Sequence, residues 1–105
     1  MNILSRSEEI ILLAILQLEG EAYGLSIRDF IKRTAGREWS LAQIYDPLGR
    51  LARKGYVRKI KGRPTPERGG RRKCLYSVTK EGIEALRRLR SLQDRIWARV
   101  GEKVV

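Results

Sequence analysis

No histidine occurs in this chain, and only one cysteine, Cys74. Without histidine the commonest general base is missing, and Cys74 has no imidazole beside it to make it a nucleophile. A single cysteine closes no intramolecular disulfide, so cysteine usage gives no sign of secretion. A zinc site lacks its soft ligands, and no phosphate loop of the Walker kind is present. These absences argue against an enzyme and against any metal or cofactor. The first residues lack the basic, apolar and small-residue sections of a signal peptide. No apolar run approaches the roughly 20 residues that span a bilayer. The expected setting is soluble, reducing and cytoplasmic, with no membrane partner.

What the chain has is positive charge. Lys and Arg number 23 against 12 Asp and Glu, a net charge of +11 over 105 residues. On a small domain that excess favours a polyanionic partner, because each phosphate contact releases condensed counterions. The length fits one domain. The hydrophobic fraction of 42 % is enough for a modest core. The chain shows neither an internal repeat nor a dividing linker.

The apolar spacing predicts three helices, a hairpin and a fourth helix. Leu4 to Leu18 opens with Ser5 and Ser7 as caps and Glu8 and Glu9 in the first turn. Ile10, Ile11, Leu13, Ala14, Ile15 and Leu18 form its apolar face, and Gly20 ends it. Tyr23 to Thr34 is the second helix, with Leu25, Ile27, Phe30 and Ile31 inward and Gly36 as its stop. Ser40 caps a third, running to about Lys54 and stopped at Gly55. Leu41, Ile44, Tyr45, Leu48, Leu51 and Ala52 are its expected core face. Gln43, Asp46, Gly49, Arg50 and Arg53 fall on the other side. Pro47 is expected to kink or strain this helix, and Gly49 to weaken it. Tyr56–Ile60 and Cys74–Val78 alternate as strands around a Gly-, Pro- and Arg-rich segment, Lys61–Lys73. Thr79 caps a last helix of about Lys80 to Val100, whose stripe includes Leu86, Leu89, Leu92, Ile96, Trp97 and Val100.

This order describes a mainly α fold with a small β-hairpin: a winged helix-turn-helix over 1–79, and a further helix over 80–105, as one structural domain. The third helix is sized for a DNA major groove. The hairpin, the wing, carries Arg58, Lys59, Lys61, Arg63, Arg68, Arg71, Arg72 and Lys73 against the single acid Glu67. So many like charges repel one another unless a polyanion meets them. Arg63, Arg68, Arg71, Arg72 and Lys73 are the candidate contacts to phosphates or the minor groove. On the third helix Gln43 suits adenine and Arg50 suits guanine; Arg50 equally suits a phosphate or a neighbouring carboxylate. Arg53 joins them on the outer side. Asp46 accepts from cytosine or orients a neighbouring arginine. Ser40 serves a phosphate at the helix N-terminus or only the cap. Tyr45 and Tyr23 offer a hydroxyl to phosphate, with the ring of Tyr45 in the core. A winged helix that binds RNA or protein instead stays open on this reading.

The sequence also resembles the PadR-like transcription regulators. The resemblance rests on Glu9-Ile10-Ile11-Leu12 with Leu16, Tyr23-Gly24 with Ile27, and Ser40 through Ile44-Tyr45. It continues in Leu48, Arg50-Leu51, Lys54-Gly55-Tyr56-Val57 and Tyr76-Ser77-Val78-Thr79-Lys80-Glu81-Gly82. Ala42, Asp46 and Ala52 depart from the family's usual Gly, Pro and Glu. The resemblance implies a DNA-binding homodimer, with repression as the usual outcome. The last helix would pack on its twin and on the partner's first helix; an apolar stripe with no core left to cover agrees. It also implies either of two roles for Trp97, stacking a small, flat aromatic effector or plain interface packing.

Overall fold

The computed structural model describes residues 3–64 and 72–103. Its elements are α1 (Arg6–Gln17), α2 (Gly24–Ala35), α3 (Leu41–Arg53), β1 (Val57–Pro64), β2 (Arg72–Val78) and α4 (Lys80–Trp97), then a 3-10 turn at Val100–Glu102. Local chemistry sets most boundaries. Ser5 caps α1 reciprocally: its hydroxyl accepts from the Glu8 N–H at 3.1 Å, and the Glu8 carboxylate accepts from the Ser5 N–H at 2.8 Å. Ser40 and Gln43 repeat the arrangement at the start of α3. α2 ends on Gly36 at φ 69°. α3 ends on Gly55 at φ 77°; Gly55 N–H donates to Ala52 O and Tyr56 N–H to Leu51 O, which together satisfy two of the last carbonyls.

The core lies where the three helices meet the hairpin. Ile11, Leu12, Ile27, Ile31, Ile44, Leu48 and Leu51 are its largest fully buried side chains, each worth about 2 kcal/mol of apolar burial. Val57 and Tyr76 close it from the strands. β1 and β2 pair antiparallel from Val57↔Val78 to Lys61↔Cys74, with an irregularity between Lys61 and Pro64. Both strands extend further into the segment read as loop. The Tyr76 N–H donates to Ala22 O at 2.8 Å, so the hairpin is also tied to the segment before α2.

Several expectations need correction. α3 continues past Pro47, as expected, and Pro47 is itself buried rather than outward. It stands three residues after Ile44 and four before Leu51, so its ring fills the core face. Its missing N–H leaves only the Gln43 carbonyl without a helical donor, and Gln43 is on the exposed side. Leu41, Tyr45 and Ala52 are not core residues but exposed; the buried face is the narrower Ile44, Pro47, Leu48 and Leu51. Leu13 and Leu25 are likewise exposed. α1 stops at Gln17, one residue before the expected end, and α4 at Trp97, three residues before it.

Only the first half of α4 packs on this core, through Gly82, Ala85 and Leu89. The remainder projects. The radius of gyration is 16.0 Å, against about 13 Å for a compact domain of this length.

Candidate nucleic-acid interface

With Ile44, Pro47, Leu48 and Leu51 facing inward, the helical period turns Ala42, Asp46, Gly49 and Arg53 directly outward. Gln43 and Arg50 lie on one flank of that face and Tyr45 on the other. Asp46, Arg50 and Arg53 are exposed. The side chain of Tyr45 lies against Gly24 at the start of α2, where a methyl group would overlap its ring tip. This close approach needs glycine and sets how α2 meets α3. Tyr23 precedes α2 in extended backbone, and its N–H donates to the Ser26 hydroxyl at 2.9 Å.

Two of the expected base contacts are held within the chain. The Gln43 carboxamide oxygen accepts from the Ser40 N–H at 2.8 Å. Arg50 Nε lies 3.6 Å from Glu8 Oε2. Lys54 Nζ meets the same oxygen at 2.8 Å. Glu8 is only 2 % exposed, so its carboxylate joins the start of α1 to the end of α3. Burial pushes the Glu8 carboxyl upward, but the hydrogen bonds from Lys54 and Ser5 and the Lys54 charge outweigh it and hold it below 4.5. Glu8 and Lys54 are the residues missed in sequence. The Ser5–Glu8 spacing signals the cap; nothing in it signals a partner 46 positions away.

The hairpin places Arg58, Lys59 and Lys61 exposed along β1. Arg68 and Arg71 lie outside the described residues, as do the side chains of Arg63, Arg72 and Lys73. Tyr76 is buried beneath the strands, and burial with the neighbouring Cys74 pushes its phenol up to about 12, so it stays neutral. Cys74 is a half-buried strand residue packed against the core. Among the described residues no His, Cys, Asp and Glu gather as a metal site. No helix is long and apolar enough to cross a membrane.

Large apolar side chains are exposed on two other elements. Ile96 and Trp97 at the end of α4 are 61 % and 69 % exposed, and Leu13 and Leu16 on α1 are 47 % and 39 % exposed. Leu86 and Leu92 are half-buried, as is Val100 in the 3-10 turn, while Leu89 is buried within the chain.

Known structures share this architecture. A transcriptional regulator from Clostridium thermocellum superposes with a TM-score of 0.72 at 22 % identity, over 98 % of this chain and 99 % of that one. A PadR-like transcriptional regulator from Bacillus cereus gives 0.68 at 21 %, over 90 % and 87 %. The Bacillus subtilis PadR in complex with operator DNA gives 0.61 at 26 %, over 76 % of this chain and 44 % of that one. No curated protein matches the chain. The model of the transcriptional regulator PadR-like family matches residues 12–88, from the middle of α1 through the packed half of α4, and by that match the chain belongs to this family of DNA-binding transcription regulators.

Proposed function

We propose that the protein binds a specific duplex DNA site as a homodimer and represses transcription in the cytoplasm, by occupancy rather than catalysis. The observation that carries this is the solvent-facing polar side of α3 beside the basic strand β1. Both could reach one duplex at once: α3 in the major groove, the wing on phosphates or the minor groove. Ser40, Tyr23 and Tyr45 flank α3 as phosphate contacts. Gln43, Asp46, Arg50 and Arg53 lie on the DNA-facing side of α3. Arg63, Arg68, Arg71, Arg72 and Lys73 serve the wing. The similar PadR that has been solved with operator DNA supports the duplex as partner.

The dimer reading rests on the apolar surface of α1 and α4. Leu13 and Leu16 on α1 and Ile96 and Trp97 on α4 are exposed large apolar side chains, and such side chains are the usual material of a subunit interface. Residues 1–79 form the DNA-binding part, and 80–105 the dimerisation helix. Leu86, Leu92, Ile96, Trp97 and Val100 meet the partner, with Leu89 supporting them from within. Two Trp97 rings near the twofold axis would offer a flat aromatic effector a stacking site.

The test is binding to a labelled duplex from upstream of the protein's own gene, in a salt series with excess random competitor. Tight, salt-sensitive binding that survives competitor is expected. Equal, weak binding to every duplex would refute sequence-specific regulation and favour an RNA or protein partner.

A further inference from the structure

The polar residues of α3 divide into held and unheld groups. Gln43 is fastened to the Ser40 backbone. Arg50 and Lys54 converge on the buried Glu8 carboxylate, at 3.6 and 2.8 Å. Asp46 and Arg53, in contrast, have no hydrogen bond or ion pair with any described residue. They stand seven residues apart, two helical turns, at the centre of the outward face rather than on its flank. Gly49 lies between them. A methyl group there would sit 3.5 Å from Arg53 Nη1, so the guanidinium folds back over Gly49.

The chemistry of this pair differs from that of the flanks. Arginine is the usual bidentate partner of guanine, through O6 and N7. An acid with no partner among the described residues, set beside the basic strand β1, repels phosphate, so it weakens indiscriminate binding while accepting from cytosine N4 or aligning the arginine. Arg50, whose charge is shared with Glu8, has less to give a base edge. We propose that Arg53 and Asp46 determine base specificity, and that Gln43 and Arg50 are positioning residues that hold α3 in place. This rests on the duplex reading given above and assigns roles within it.

The experiment is selection from a randomised duplex pool, run in parallel for the natural protein and for Arg53→Ala, Asp46→Asn, Arg50→Ala and Gln43→Ala, with thermal unfolding of each variant. Arg53→Ala is expected to lower the preference at one base pair of each half-site by about tenfold or more, the usual loss for a bidentate contact, with little change in Tm. Asp46→Asn is expected to strengthen binding to random duplex and flatten the selected motif. Arg50→Ala and Gln43→Ala are expected to lower Tm and to weaken all duplexes together, with the motif unchanged. A motif altered by Arg50→Ala or Gln43→Ala, but not by Arg53→Ala, would overturn the assignment. If the natural protein selects no motif, the duplex reading itself falls, which is a separate result.

Discussion

A carboxylate that is 2 % exposed needs a partner for each of its oxygens, and Glu8 finds them at both ends of the fold. Oε1 takes the Ser5 N–H, and Oε2 takes Lys54 with Arg50 nearby. Glu8→Ala leaves two cations facing a vacated site and removes the carboxylate half of the α1 capping box, while the Ser5 hydroxyl keeps its bond to the residue-8 N–H. The loss expected is roughly 2–4 kcal/mol, a fall in Tm of about 10 °C or more by thermal unfolding at fixed concentration. The pH dependence follows from the depressed carboxyl. Between its folded value and the unfolded 4.5, the unfolded chain binds the extra proton, so stability falls as pH falls through that window. Above 4.5 the contribution is complete. The gap in Tm between the natural protein and Glu8→Gln is therefore expected to be constant above 4.5 and to shrink below it. A gap that is the same at every pH would remove the ion pair from the account. At this scale sequence reasoning shows caps better than partners. Ser40 reads directly as a cap, because capping is a matter of spacing. The pairing of Glu8 with Lys54 depends on how α1 crosses α3, which no spacing encodes.

Among the elements, α4 is tied most tightly at its root. The Thr79 hydroxyl accepts from Gly82 N–H at 3.1 Å and donates to Gly55 O at 2.6 Å, while Thr79 N–H donates to Tyr56 O at 3.0 Å. Those bonds join the start of α4 to the end of α3, so a displacement of one is felt by the other. Gly82 is what lets them close: a methyl group there would overlap the Tyr56 carbonyl and crowd Val78 Cγ1. Gly82→Ala is expected to cost about 1–3 kcal/mol, read as a lower denaturation midpoint; an unchanged midpoint would mean the junction yields freely. The helices themselves were legible, since each has a sustained apolar period bounded by a capping residue or a glycine stop. The inward face of α3 was less so. The spacing from Leu41 suggests a broad stripe, yet the three-dimensional core admits Pro47 and leaves Tyr45 beside Gly24. Proline is usually scored as a helix breaker, so its value as an apolar core residue is easily overlooked.

Across the whole molecule two surfaces of opposite character are exposed, one basic and one apolar. The net charge of +11 predicts steep salt dependence, with log affinity falling by about 0.9 for each phosphate neutralised per decade of salt. The apolar surface predicts self-association. Ile96→Glu, which places an unpaired charge on that face, is expected to weaken the dimer about 100-fold or more. Sedimentation at micromolar concentration would show it as a monomer. A natural protein already monomeric under those conditions would contradict the dimer. The charge was legible from composition alone. The apolar surface needed the fold, because Leu13 and Leu16 on α1 look like core residues until α1 is packed and its outer side is left uncovered.

We propose that a twofold dimer reads duplex DNA through a pair of α3 helices. This mode of reading is tested most directly by determining the sequence that the natural protein selects from a randomised duplex pool. A pseudo-palindrome is predicted, with half-sites one helical turn apart, about 10 base pairs, or a small multiple of that. A strong motif without twofold symmetry would contradict the dimeric reading, and enrichment of no motif would contradict sequence-specific binding.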